Sequence, residues 1–260
     1  MKTNLILGII VLIIIVLVLT GCKDNSISEN LVYNKTTNKT TTNTSSKNTT
    51  STVDYEVAAQ KQMSAPEKGE TVAIMSVKNF GDIKIKFFDE IAPKAVENFV
   101  THSKNGYYNG TTFHRVMEEF MIQGGDPDGN GTGGESIWGK DFGEELDLSL
   151  VPYRGALCMA SRGTGTSSIG SQFFIVQANY EEQMAKTLKA YNYPADLIEQ
   201  YKNYGGYLSL YQGYTVFGQV FEGMDVVDKI ASVEKGISAT GELSVPIEKI
   251  IVEKINIIEY

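Results

Sequence analysis

Apolar and polar positions alternate with a period of two in several short runs beyond residue 70, the pattern of half-buried β-strands. Thr71 to Val77 and Ile83 to Phe87 read as the first two, joined at Lys78-Asn79-Phe80-Gly81-Asp82 as a hairpin with glycine in its turn. Ala92 to Val100 switches to helical spacing, with Pro93 in the first turn, Asn105-Gly106 as the stop, and Ala92, Val96, Phe99 and Val100 as the buried stripe. Apolar positions 113, 116, 120 and 122, interrupted by Glu118-Glu119, predict two short strands joined through a polar turn and ended by Gly124-Gly125. Gly155 to Ser161 reads as a strand leaving into a loop, 162–169, from which the strand Gly170 to Val176 returns. Residues 177–213 interrupt the alternation with helical spacing at Met184, Leu188, Tyr191 and again at Leu197, Ile198, Tyr201. Pro194 opens the second helix and Gly205-Gly206 closes it, which makes a helical hairpin inserted between strands. A strand from Tyr214 to Phe221, a helix from Met224 to Ala231 and a last strand from Ile247 to Ile258 complete the chain. The expected fold class is all-β, a closed eight-stranded antiparallel barrel capped by two helices.

The N-terminal part follows neither period. An almost unbroken apolar run from Leu5 to Leu19 follows Lys2 and ends in small residues, the build of a secretory signal too short to span a bilayer comfortably. Leu19-Thr20-Gly21-Cys22 resembles the bacterial lipobox, which implies cleavage before Cys22, attachment of diacylglycerol to its sulfur, and a chain anchored to the outer face of the cell membrane. Residues 22–66, rich in Asn, Thr, Ser and Lys, lack the apolar surface that would offset the entropy of ordering and read as a disordered linker, with a weak helical pattern from Val53 to Ser64. As a flexible coil the linker would span on the order of 35 Å end to end. The expected organisation is therefore signal peptide 1–21, linker 22–66 and folded domain 67–260.

Charge and cysteine content narrow the chemistry. A formal charge of -8 argues against nucleic acid, whose phosphates need clustered Lys and Arg. Two cysteines in unlike contexts, Cys22 and Cys158, and two histidines, His102 and His114, give neither a disulfide framework nor a metal-ligand spacing. Cys158 lies among apolar neighbours and reads as core filling. The glycine-rich stretch Asp126 to Gly134 lacks the Gly-Lys-Ser/Thr ending of a phosphate cradle and reads as a tightly folded loop. No metal or cofactor is expected.

What stands out is Arg115 held beside an apolar patch, with Phe120, Met121 and Gln123 following, and a second glutamine-aromatic pairing at Gln172 and Phe174 on one strand face. The stretches Phe113 to Asp126, Gly155 to Ala160, Gly170 to Val176 and Tyr214 to Gly223 resemble, in order, the motifs of the cyclophilin peptidyl-prolyl isomerases, over about residues 70–258. The resemblance implies an active groove on the outer face of the barrel, with Arg115 as hydrogen-bond donor to the prolyl nitrogen and Gln123 steering the arginine or the substrate carbonyl. It implies a proline pocket of Phe120, Met121, Phe174 and Leu210, with Gln172 alongside, the backbone of Ala160 and Ser161 pairing with the peptide before proline, and His114 and Tyr214 on the rim. Substrates would be proline-containing segments of unfolded or secreted proteins, handled by a monomer. The competing reading is a surface module that binds proline segments without turning them over.

Two departures from the family pattern matter. Ser209-Leu210-Tyr211 stands where Trp-Leu-Asp is common, so the indole that borders the pocket is missing, and Trp138 lies in another motif. That implies weak cyclosporin binding with isomerase activity kept. The insertion 177–213 lies near the groove edge, and covering core is favoured over recruiting substrate as its role. The mechanism further requires that the Arg115 guanidinium face the apolar notch and not be turned away and locked to a carboxylate.

Overall fold

A computed structural model describes residues 53–161 and 167–260. The expected signal, the expected lipidation site Cys22, the Asn/Thr run and the loop residues 162–166 lie outside the described residues.

The sheet is built as the alternation predicts. Strands β1 (Thr71–Val77) and β2 (Gly81–Phe87) form the first hairpin, and helix α2 (Pro93–Lys104) follows with proline at its start and Asn105 as its C-cap. The short pair β3 (Arg115–Met117) and β4 (Met121–Gly124) turns through Glu119, which adopts a left-handed φ of 57°. After β5 (Phe142–Gly143) come β6 (Ala156–Ser161), β7 (Ser167–Val176), β8 (Val216–Glu222), helix α5 (Met224–Ala231) and β11 (Val252–Glu259). The pairing order is β11-β1-β2-β8-β6-β7-β4-β3, with β5 added on β7.

Side-chain alternation gives this curled sheet two apolar faces. The inner one gathers Val116, Ile122, Leu157, Met159, Phe173, Ile175 and Phe217 with the α2 residues Ala95, Val96 and Phe99. The outer one gathers Met121, Ala156, Cys158, Phe174, Val176, Leu210 and Val216. Because successive residues point to opposite faces, the stretch Phe173-Phe174-Ile175-Val176 is apolar throughout and serves both.

The expected closed barrel is not found: the sheet is open between β11 and β3. The chain before β3 is joined to the start of β11 by a few backbone bonds: Phe113 N–H donates to Ile250 O, Gly110 N–H to Val252 O and Val252 N–H to Thr111 O. That run is too short to make a ladder. The outer edge of β3 faces instead a hairpin that periodicity did not resolve, β9 (Lys235–Ile237) with β10 (Leu243–Pro246). The last strand accordingly starts at Val252 and not at Ile247.

Folded structure also begins earlier than the boundary at residue 66. Helix α1 (Tyr55–Met63) is capped by Asp54, which accepts from Val57 N–H, and buries Tyr55, Ala59 and Gln62. Gln62 bonds both polar groups of the Val151 backbone, donating to its carbonyl at 2.7 Å and accepting from its N–H at 3.0 Å. The Lys86 ammonium, its pKa lowered by burial, donates to the Lys61 carbonyl in the last turn of α1. The helical insertion supplies the rest of this contact: α3 (Glu182–Ala190), α4 (Ala195–Tyr204) and the short 3₁₀ turn Leu208–Leu210. Tyr55, Tyr153, Leu188, Leu197, Tyr201 and Leu208 form their shared core, so the insertion covers apolar surface, as favoured from the sequence.

Candidate active site

Four strands bring the expected residues into one row on the outer face. Arg115 on β3 pairs with Gln123 on β4, Gln123 with Phe174 on β7, and Phe174 with Cys158 on β6. Directly paired residues project to the same side, so an arginine, an amide and an aromatic ring share one face above a thiol that fills the floor. The row beside it is Met117, Met121 and Val176. Gly125, at φ 82°, lets the chain leave β4 across β7, since a Cβ there would lie 2.7 Å from the Ser171 carbonyl and 2.8 Å from the Phe173 ring.

Met121, Phe174 and Leu210 are nearly closed off, at 1%, 4% and 8% exposure, while Phe120 and Tyr214 stay half-buried at the margin. Leu210 reaches this cluster from the 3₁₀ turn that ends the insertion. The Tyr214 ring stands edge-on to Phe174 at 5.4 Å, and burial raises its phenol pKa. Phe120 stacks against Tyr207 at 4.5 Å between ring centroids. Cys158 is fully buried, and desolvation pushes its thiol well above the ordinary range, as suits a core filler.

Polar contacts fix the amides. Gln172 donates to the Gly133 carbonyl at 2.8 Å and accepts from Gln123 at 3.0 Å, which turns the Gln123 oxygen toward Arg115, 3.4 Å from Nη1. Beside this chain lies a cleft of about 70 Å³ lined by Gln123, Gln172, Ala160, Ser161 and glycines 131, 133, 134 and 170. Its glycine wall is held by the Asp126 carboxylate, which accepts from the backbone N–H of Asp128, Asn130, Gly131 and Gly133. The stretch Asp126 to Gly134 is thus the folded loop expected, with the carboxylate at its centre. Burial raises the Asp126 pKa, and the four N–H bonds together outweigh that and leave it below the ordinary value.

His114 sits apart from the row. Its ring abuts Gly131 and both ring nitrogens are shielded from solvent, so it packs under the loop. Burial lowers the pKa of His114, and of His102, whose Nε2 meets the Glu135 carbonyl at 2.9 Å. The folded state therefore resists protonation while the unfolded chain takes up protons near pH 6.5, and stability falls as pH drops below that value. The urea midpoint is expected to decrease from pH 7.5 to 5.5, and the decrease to shrink in a His102→Gln/His114→Gln chain. An unaltered pH slope in the double variant would contradict the assignment.

Arg115 meets one expectation and breaks another. Its guanidinium carbon lies 5.7 Å from the centre of the Phe120 ring, and Nη1 is 4.0 Å from Met121 Sδ, so it faces the notch. It is nevertheless engaged by a carboxylate: Glu242 accepts from Nε at 2.7 Å and from Nη2 at 2.8 Å. Nothing in the sequence pattern links these positions. Glu242 lies in the turn of the unforeseen hairpin, just before β10 and 127 residues away.

The model of the cyclophilin type peptidyl-prolyl cis-trans isomerase family matches residues 72–256. The chain belongs to this family. Among curated cyclophilin relatives, one from Staphylococcus saprophyticus, named as a peptidyl-prolyl cis-trans isomerase, is 43% identical over 199 residues, 76% of this chain and 98% of that protein. One of the same name from Staphylococcus epidermidis is 45% identical over 194 residues, 74% of this chain and 98% of the relative. A solved cyclophilin type isomerase from Cryptosporidium parvum is 31% identical with a TM-score of 0.58, covering 74% of this chain and 99% of that one. A second structure of that protein, in the presence of the dipeptide Ala-Pro, gives a TM-score of 0.57. Within this cyclophilin the missing indole is not replaced: Trp138 packs on Phe142, on the β5 strand.

Proposed function

We propose that this cyclophilin catalyses cis-trans isomerisation of X-Pro bonds in secreted or surface proteins from a lipid anchor on Cys22. The observation that carries the catalytic part is a guanidinium standing over Phe120 beside a notch of Met121, Phe174 and Leu210. Rotation about the prolyl bond meets a barrier of roughly 18–20 kcal/mol and breaks no bond, so neither nucleophile nor cofactor is needed. As the bond twists, the prolyl nitrogen loses conjugation and becomes a hydrogen-bond acceptor; Arg115 donates to it, favouring the half-turned imide over both planar forms. A charge-assisted bond of this kind is worth about 1.5–3 kcal/mol. Burial of the proline ring among Met121, Phe174, Leu210 and Phe120 adds roughly 2 kcal/mol of binding and holds it while the other side turns. Gln123 steers the arginine, and Gln172, Ala160 and Ser161 align the residues before proline along the cleft that they line. Tyr214 stands at the rim, and His114 supports the loop behind it. The Ala-Pro dipeptide used with the Cryptosporidium parvum protein supports a proline peptide as the ligand class here.

The test joins activity to location. In a protease-coupled assay the full chain is expected to accelerate cis-to-trans conversion of an X-Pro peptide, and in cells to sediment with membranes, whereas Cys22→Ser leaves the sediment with its activity unchanged. Binding of the peptide without acceleration would favour a non-catalytic proline-binding module. Persistence of the Cys22→Ser chain in membranes would remove the lipid tether.

A further inference from the structure

We infer that Glu242 is a positioning residue for Arg115, holding the guanidinium in the orientation that the isomerisation uses. The inference rests on the catalytic reading of Arg115 given above. Arg115 projects from a strand of three residues at the edge of the sheet, with about a third of its side chain exposed. An arginine so placed has many rotamers, and only those that lay the fork against the notch are productive.

The carboxylate of Glu242 removes that freedom from one side. It occupies the edge formed by Nε and Nη2, in the two-point geometry that fixes the plane of a guanidinium. The opposite corner, Nη1, is directed toward Gln123 Oε1 and Met121 Sδ, the residues next to the notch. Glu242 approaches from the outer edge of β3, whereas Met121, Phe174 and Leu210 lie across β4 and beyond. The carboxylate thus stands on the far side of the arginine from the pocket, the place of a brace and not of a plug.

The brace is itself held. Ser238 N–H donates to the Glu242 carbonyl at 2.7 Å, Glu242 N–H donates to Ser238 Oγ at 3.1 Å, and Gly241, at φ 86°, closes the turn between them. Arg115 holds the Glu242 carboxylate below its ordinary pKa, and Ser244, buried at 1% exposure two residues on, adds to that. The backbone of Glu242 is therefore fixed in the turn while its carboxylate holds the arginine, and the hairpin packs along β3.

The test is a double-mutant cycle in the full chain, read as kcat/KM on an X-Pro peptide. Glu242→Ala is expected to lower kcat/KM about tenfold, in the range found for coupled groups of one network. Glu242→Gln, which keeps one acceptor, loses less, and neither change lowers activity further in an Arg115→Ala background. The Arg115 Nε–H resonance, shifted and protected from exchange by the carboxylate in the natural chain, moves to the solvent-exposed position in Glu242→Ala. Unchanged or increased kcat/KM in Glu242→Ala would overturn the inference, the increase marking a brake. An equal loss with and without Arg115 would also overturn it, as an effect of hairpin structure. Full activity in Arg115→Ala alone would instead remove the catalytic reading beneath it.

Discussion

Arg115→Ala is expected to lower kcat/KM on an X-Pro peptide by about ten- to a hundredfold, the loss of one charge-assisted hydrogen bond made in the transition state. The loss should fall on kcat and leave KM nearly unchanged. The ring pocket is built by Met121, Phe174 and Leu210, and these are held by their own packing around Cys158 and Val216 and not by the arginine. Stability should hardly change, because the partner left behind, Glu242, has 30% of its side chain exposed and regains water when the ion pair is lost. Activity measured beside the urea midpoint separates these outcomes. A parallel fall of both would mean that Arg115 is a structural residue, and an undiminished rate would mean that the pocket alone suffices.

The largest effect on stability is expected at Phe99→Ala, about 3–5 kcal/mol. Phe99 is fully buried on α2, with ring centroids of Tyr108, Phe173, Phe217 and Phe87 at 5.2, 5.3, 5.5 and 5.8 Å. Four large rings cannot collapse into the space left, so the cavity persists and adds to the lost transfer free energy. For a domain of this size the melting temperature should fall by roughly 6–20 °C. Residual activity below the transition should stay near that of the natural chain, since Phe173 faces inward while its neighbour Phe174 faces the notch. A loss under about 1 kcal/mol would contradict the packing described for α2.

These two residues also mark what the amino-acid order made legible. Period-two alternation placed Gln172 and Phe174 on one strand face, and helical spacing placed Phe99 on the buried stripe of α2. Both signals are local, and both are found in the fold. The helical insertion was legible for the same reason, with proline and glycine at the limits of its second helix.

What failed was non-local or weakly patterned. A closed barrel requires β3 to pair with β11, and strand partners at that separation leave no trace in periodicity; the three residues of β3 present too little edge for a ladder. The hairpin of β9 and β10 is short, ends in Pro246 and exposes Ile237, Leu243 and Val245, so neither amphipathic period marks it. Its Glu242 then reached Arg115 unannounced. Helix α1 shows only a weak pattern because one of its three buried residues, Gln62, is polar, and its partners, the Val151 backbone and the Gln219 side chain, lie far along the chain.

The central claim is that the Arg115 guanidinium turns a bound prolyl bond. Exchange spectroscopy on a proline peptide at equilibrium, with a small amount of the full chain added, follows cis and trans signals without any coupled protease. The account predicts exchange between the two signals with the natural chain, and with Arg115→Ala peptide shifts that report binding but exchange slowed by at least about tenfold. Equal exchange with both chains would contradict it.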